Sequence, residues 1–425
     1  THPCPLETCG SVASMDKVTG KLTLWGTFQA PHAIRTVVSL ISGIAEHNIR
    51  VISPDIGGGF GNKVGAYAGY VCSVVASIVT GKPVKWVEDR MENLMSTAFA
   101  RDYWMKGKIA ATKDGKITGL WCHTTADHGG FDACADPTKF PAGFMNICTG
   151  SYDIPTAYLA VEGVYTNKAP GGVAYRCSFR VTEAAYFIER MIEVLAIKLN
   201  MDAAELRRIN FIKPEQFPYT TATGELYDVG DFARLLKRAA EEADRDGFAA
   251  RRDADAKRGL LRGQGLCYYI ESILGDPAEG AKVVFEEDGR VTIYVGTQSN
   301  GQGHETVYAQ FLSDQTGIPA HLIDVVQGDS DLIAKGGGTG GSRSVTTQSN
   351  ATLATVGKNT EVFKAFLSEE MGVPAAEISF DDERFRAEGS NLTPTMLEVA
   401  EMARDKGRDD LLSHHERASL PGRSY

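Results

Sequence analysis

Three times in this 425-residue chain a strand-like run ends in a glycine-laced turn and gives way to a helix-like run. The turns are "GGGFGNK" at 57–63, "GQGH" at 301–304 and "GGGTGGSRS" at 336–344. Each junction sets a helix N-terminus beside the end of a strand, so neither helices alone nor sheets alone will accommodate the chain. The sequences around the turns show no self-similarity strong enough for a repeat array. The recurrence is architectural. It predicts an α+β chain of mixed α/β layers in which several helix N-termini face a common region.

The rest of the pattern supplies the layers. "KLTLWGT" (21–27), "NIRVISPDI" (48–56) and "PVKWVED" (83–89) read as strands, and the small-residue run "VGAYAGYVCSVVASIVTG" (64–81) as a tightly packed helix. Alternation on both sides of "KDGK" (113–116) predicts a hairpin over 103–125. Residues 127–151 hold many Gly, Pro and Asp without a period and read as a long functional-looking loop or an irregular cover. A strand follows at "AYLAVEGVYT" (157–166). Thr182 is the expected cap of a helix running to 199, Asp202 with Glu205 opens a second, and Asp231 caps a third ending near 246. The stretch 247–262, "GFAARRDADAKRGLLR", is dense in charge and reads as a linker or a solvated helix. It divides an expected first domain, 1–246, from a second, 263–425.

Composition narrows the function. With 54 acidic against 44 basic residues the net charge is −10, which argues against a nucleic-acid partner, because counterion release needs clustered Lys and Arg. No uninterrupted apolar run reaches the ~20 residues of a bilayer span. The N-terminus, "THPCPLETCG", has neither the charged nor the apolar region of a secretion signal. At most a peripheral association with a membrane is expected. The absence of an initiator Met predicts an internal or processed piece of a longer chain. Eight cysteines with no CxxC pair fit neither a zinc ribbon nor a disulfide scaffold and predict a reducing, cytoplasmic setting. His414 and His415 lack any metal-ligand spacing and read as a solvated surface.

A glycine turn at a helix N-terminus lets backbone amides approach an anion closely, although such glycines often serve the turn alone. "GGGFGNK" is not GxGxxG, no acidic residue follows at the dinucleotide-fold position, and no GxxxxGK[ST] is present. The second and third turns add Gln, His, Arg and hydroxyls. Together the three favour a large, phosphate-bearing cofactor.

Cys177 stands apart from the other thiols. A buried core thiol is the ordinary reading of such a residue. Here Arg176 and Arg180 flank it, Gly171 and Gly172 precede it, and a helix N-terminus follows, all of which favour the thiolate. A soft thiolate suits Cu(I), and with no Cys–His pairing legible, metal ligation or substrate contact ranks above covalent catalysis.

"AYRCSFR" (174–180) resembles the active-site loop of the molybdenum-bearing large subunits of aerobic carbon monoxide dehydrogenases, within the xanthine oxidase family of molybdenum hydroxylases. "LWGTFQAPH" (24–32), "DIGGGFGNKVGAY" (55–67), "VKWVEDRMENL" (84–94), "GQGHETVYAQ" (301–310) and "GTGGSRS" (338–344) resemble the same subunits. The resemblance implies a two-lobed molybdopterin-binding architecture. It implies that Cys177 ligates a copper ion joined through sulfide to molybdenum, that Gln29 hydrogen-bonds a molybdenum oxo ligand, and that Gly59, Phe60 and Gly61 line the metal's approach. Phe179 and Arg176 would shape the gas pocket. Gln302, Gly303 and His304, with Thr339, Ser342, Arg343 and Ser344, would hold the pterin and its cytosine dinucleotide.

The implied reaction is CO plus water giving CO2, two protons and two electrons, which leave through [2Fe-2S] clusters and FAD on a small iron–sulfur subunit and an FAD subunit. The implied assembly is a dimer of heterotrimers. The family's catalytic glutamate is expected beyond Tyr425. Two other readings stay open at this stage: a molybdenum hydroxylase of an aldehyde or N-heterocycle, and a non-catalytic assembly piece.

Overall fold

The computed structural model describes residues 2–130, 139–170, 181–271, 273 and 275–420. Two compact units emerge: His2–Phe99 joined with Leu274–Arg423, and Ala100–Ile273.

The first stretch of the discontinuous unit carries β1 (Gly10–Met15), β2 (Leu22–Gly26), α1 (Pro31–Ser42), β3 (Ile49–Ile52), α2 (Ala68–Thr80), β4 (Val84–Val87) and α3 (Arg90–Ser96), with strand order β3-β2-β1-β4. β2 and β3 run parallel because α1 carries the chain back between them. α2 buries Tyr70, Ser73, Val74 and Ser77, and its small faces let it lie close: a Cβ on Gly69 would sit 2.1 Å from the Trp86 ring. By length and composition Asn62–Thr80 is apolar enough to cross a membrane. Its regular helical part is 13 residues, about 20 Å at the α-helical rise, and it packs on the sheet.

The continuous unit holds β5 (Tyr103–Ala111), β6 (Ile117–Asp127), α4 (Lys139–Asn146), β7 (Ala157–Val164), α5 (Val181–Leu199), α6 (Ala203–Asn210), β8 (Tyr219–Thr220), β9 (Leu226–Tyr227), α7 (Phe232–Glu242) and α8 (Phe248–Ala256). The expected hairpin is present as β5–β6, with β7 added parallel to β6. Asp202 accepts from Ala204 and Glu205 backbone N–H, and Asp231 from Arg234 N–H, as their positions predict. Thr182 does not cap: α5 already includes Val181, and the Thr182 hydroxyl donates to Glu183. At this unit's centre Arg207 is fully buried, paired with Glu189 at 2.8 Å and Glu193 at 2.9 Å. The other carboxylate oxygen of Glu189 accepts from Tyr152, and Glu189 also receives the Tyr268 N–H. The extended segment around Tyr268 is thereby pinned to α5.

The chain then re-enters the discontinuous unit with β10 (Ala278–Phe285), β11 (Val291–Val295), α9 (His304–Thr316), β12 (Ile323–Val326), α10 (Ser344–Met371), β13 (Ser379–Asp381), β14 (Arg384–Arg386), α11 (Met396–Asp405) and β15 (Ser413–Ser419). The main sheet runs β12-β11-β10-β15. Val283, Phe285, Ile293, Leu312, Phe363, Phe385 and Val399 form its buried core. His414 and His415 lie in β15 opposite Val283 and Lys282, on a sheet strand that leaves His415 exposed.

The expected boundary at 247–262 is not where the packing divides. Of the two readings offered for that stretch the helical one holds at Phe248–Ala256, and the continuous unit runs past it to Ile273. Residues 2–99 instead join the second half: Ser53 N–H donates to Gly328 O, Ser330 N–H to Val51 O, and Arg50 pairs with Asp329.

Candidate functional site

Gln29 follows β2 and is 2% exposed. Its side-chain Oε1 accepts from Gly61 N–H at 2.9 Å and Lys63 N–H at 3.2 Å, while Nε2 donates to Thr339 O at 3.0 Å. Its backbone completes the clasp, N–H to Lys63 O and O from Thr339 N–H. The turns at 57–63 and 336–344 are thus stitched together through one residue. An amide NH2 carries two protons, and Thr339 takes one.

The 57–63 turn is shaped for this approach. A Cβ on Gly59 would fall 2.5 Å from Gln29 Oε1, so no side chain fits there. Phe60 follows in the left-handed region at φ 54°, with its ring 53% exposed. Such a conformation is costly for a bulky residue and projects the ring from the turn.

The 336–344 turn is locked from beneath. Arg343 and Glu279, 2% and 1% exposed, form an ion pair at 2.9 Å. Arg343 also donates to the carbonyls of Asp276, Ala278 and Gly338. Glu279 accepts in addition from Gly337 and Gly280 N–H. Four of the five guanidinium protons are engaged inside the fold, and the residue shapes the turn from within. Thr339 Oγ1 donates to Gln298 O, receives the Gln298 N–H, and contacts Ser344 Oγ at 2.9 Å, so it joins the third turn to the second. Ser342 is exposed with φ 57°.

Gln302, Gly303 and His304 stand together at the start of α9. Gly303 has φ 81°, a conformation that glycine adopts freely, and no side chain caps the helix. α10 is likewise uncapped. Gln302 Nε2 donates to His304 Nε2 at 3.1 Å, which places the ring proton on Nδ1; that atom is buried without a hydrogen-bond partner, as are Asn300 Oδ1 and Gln298 Oε1. Burial lowers the His304 pKa from its ordinary value, the Glu305 charge opposing. Cys177, Arg176 and Phe179 lie outside the described residues. Three residues that sequence reading passed over complete the cluster: Glu279, Glu7 and Lys63. Lys63 sits inside a quoted motif, but nothing local in the sequence marks either glutamate.

Models of molybdopterin cofactor-binding domains match residues 1–211 and 238–423. The carbon monoxide dehydrogenase large chain of Afipia carboxidovorans is 55% identical over 94% of this chain and 52% of its own length. That of Hydrogenophaga pseudoflava is 51% identical over 94% of this chain and 52% of its own. A crystal structure of Cu,Mo-CO dehydrogenase in its carbon monoxide reduced state superposes with TM-score 0.93 at 52% identity, covering all of this chain and 56% of that one. The chain belongs to the family of molybdopterin cofactor-binding domains.

Two molybdopterin-binding domains are present, and the chain spans about half the length of the relatives it matches. The residues of this chain fit a molybdopterin cofactor. The uncapped first turns of α9 and α10 offer backbone N–H groups and positive dipole ends. His304 Nδ1–H adds a buried donor, and Gln298 and Asn300 add buried acceptors, within seven residues of one another in sequence. A phosphate-bearing heterocycle needs both kinds of partner.

Proposed function

We propose that this chain is the molybdopterin-bearing part of a molybdenum–copper oxidoreductase that converts CO and water to CO2, two protons and two electrons. The observation that carries the reading is the 55% identity to a carbon monoxide dehydrogenase large chain, together with "AYRCSFR" at 174–180. Gln29 contributes its remaining amide proton toward the metal, held in register by Gly61, Lys63 and Thr339. Gly59, Phe60 and Gly61 bound that approach, and the exposed Phe60 ring excludes water from it. Gln302, Gly303, His304, Thr339, Ser342 and Ser344 hold the cofactor, a cytosine dinucleotide form, through amide, imidazole and hydroxyl donors. Bound, the cofactor supplies two-electron redox chemistry and an oxygen for transfer. Cys177 ligates Cu(I) as a thiolate, with Arg176 and Phe179 shaping the gas pocket. The electrons pass to [2Fe-2S] and FAD groups on a small iron–sulfur subunit and an FAD subunit, in a dimer of heterotrimers.

The test is elemental analysis and turnover of the intact complex. Copper and molybdenum in near-equal amounts, CO oxidation, and loss of both copper and turnover in Cys177→Ala are expected. Molybdenum without copper, with turnover of an aldehyde or N-heterocycle instead of CO, would replace the reading by that of an organic hydroxylase.

A further inference from the structure

We propose that Glu7 and Lys63 are a positioning pair that aims the Gln29 amide, an inference that rests on the molybdopterin reading of the site. Lys63 closes the 57–63 turn, and its side chain is 0% exposed. Its ammonium meets Glu7 Oε2 at 2.6 Å. The same oxygen accepts from Gly57 N–H at 2.8 Å, and Glu7 N–H donates to Gly57 O at 3.2 Å. Gly57 itself has no room for a side chain, since a Cβ would lie 2.6 Å from Glu7 Cβ. One carboxylate thus fastens both ends of the turn.

The far side of Lys63 faces Gln29. Its N–H donates to Gln29 Oε1 and its O accepts from Gln29 N–H. Side chain to Glu7 and backbone to Gln29, Lys63 is the link between an ion pair and the group that meets the cofactor. Without the Glu7 charge, a buried ammonium has no counterion and must move toward water. That movement withdraws the Lys63 and Gly61 N–H groups from Gln29 Oε1. The Gln29 amide then keeps only its bond to Thr339 O, and its plane and remaining N–H tilt at the point of ligand contact.

The neighbouring polar groups explain why the turn transmits such a change. Asn62, fully buried, is tied through its Nδ2 to Thr97 and through its Oδ1 to Asn93. Glu88 accepts from Cys9 N–H and Asn93. The floor of the turn is fixed by this network. The Glu7–Lys63 contact is therefore the adjustable one, its carboxylate side half-exposed.

The experiment uses the purified complex with Glu7→Gln, and with Lys63→Arg combined with Glu7→Asp as the charge-retaining control. Three quantities are read: molybdenum per chain, the Mo(V) paramagnetic resonance spectrum of the reduced enzyme, and kcat against KM. Glu7→Gln is expected to shift the Mo(V) spectrum and lower kcat about ten- to a hundred-fold, the usual range for outer-shell partners of a metal site, with KM changed far less. The charge-retaining control is expected to restore the wild-type spectrum. An unshifted spectrum and unchanged kcat in Glu7→Gln would overturn the proposal. If Glu7→Gln does not fold, Glu7→Ala, at a half-exposed side chain, leaves the same ammonium unpaired; a wild-type spectrum there overturns the proposal, and a shifted one supports it. Wild-type complex that holds molybdenum but does not oxidise CO refutes the substrate and leaves this test intact. Wild-type complex without molybdenum refutes the molybdopterin reading and the pair's role with it.

Discussion

Glu279 shows how much one side chain decides. Its two oxygens hold Arg343, Gly337 and Gly280, and through them the turn that clasps Gln29. Glu279→Ala leaves a buried guanidinium unpaired, so a loss of about 3–5 kcal/mol is expected, read as a lowered denaturant midpoint with unchanged slope. Gly59→Ala acts differently. The added methyl meets the Gln29 amide and no hydrophobic core, so the expected outcome is near-native thermal stability with a severalfold loss of bound molybdenum per chain, by elemental analysis of the purified complex. A wild-type molybdenum content would show that Gln29 yields without consequence. Glu279, unlike Gly59, carries no mark in the sequence: "PAEG" looks like any strand entry, and its value depends on an arginine sixty-four positions on.

Among elements, the decisive contact is between β3 and the turn after β12. Arg50 Nε reaches Asp329 Oδ1 at 3.1 Å, and Ser330 lies hydrogen-bonded to Val51 on both its N–H and hydroxyl. Burial works to raise the Asp329 carboxyl pKa, but the Arg50 guanidinium and the N–H groups of Asp331 and Leu332 outweigh it and hold it below the ordinary value. A depressed carboxylate stabilises the fold above its unfolded pKa of about 3.9 and ceases to do so as pH falls through the folded value. Asp329→Asn is thus expected to lower Tm at neutral pH, and the gap to wild type to close as pH drops below about 4. A gap independent of pH would assign the effect to shape alone. The helices were more legible than this contact: the glycine turns and the acids at 202 and 231 mark helix starts locally, whereas the pairing of β3 with residues 328–330 is a long-range event.

For the whole chain, two compact units share one polypeptide without dividing it in sequence. His2–Phe99 packs with Leu274–Arg423, and Ala100–Ile273 forms its own core around Arg207. A fragment of residues 263–425 therefore lacks the partner surface of β3 and the Gln29 clasp. It is expected to melt with less cooperativity than the same fragment fused through a short linker to residues 1–99, as followed by circular dichroism. Equal cooperativity would mean that the second half needs no help from the first.

Local chemistry was enough to determine the α+β class, the glycine turns and most helix and strand starts, because turns, caps and alternation act over a few residues, whereas Gln29 was named only through the family resemblance. Tertiary structure alone decided that Arg343 braces a turn from inside, that Glu7 and Glu279 fasten two of the glycine turns, and that residues 2–99 belong with the second half. Those outcomes rest on burying charge beside charge and strand beside strand across fifty or more positions, where desolvation and packing select the partner and no short-range pattern records it.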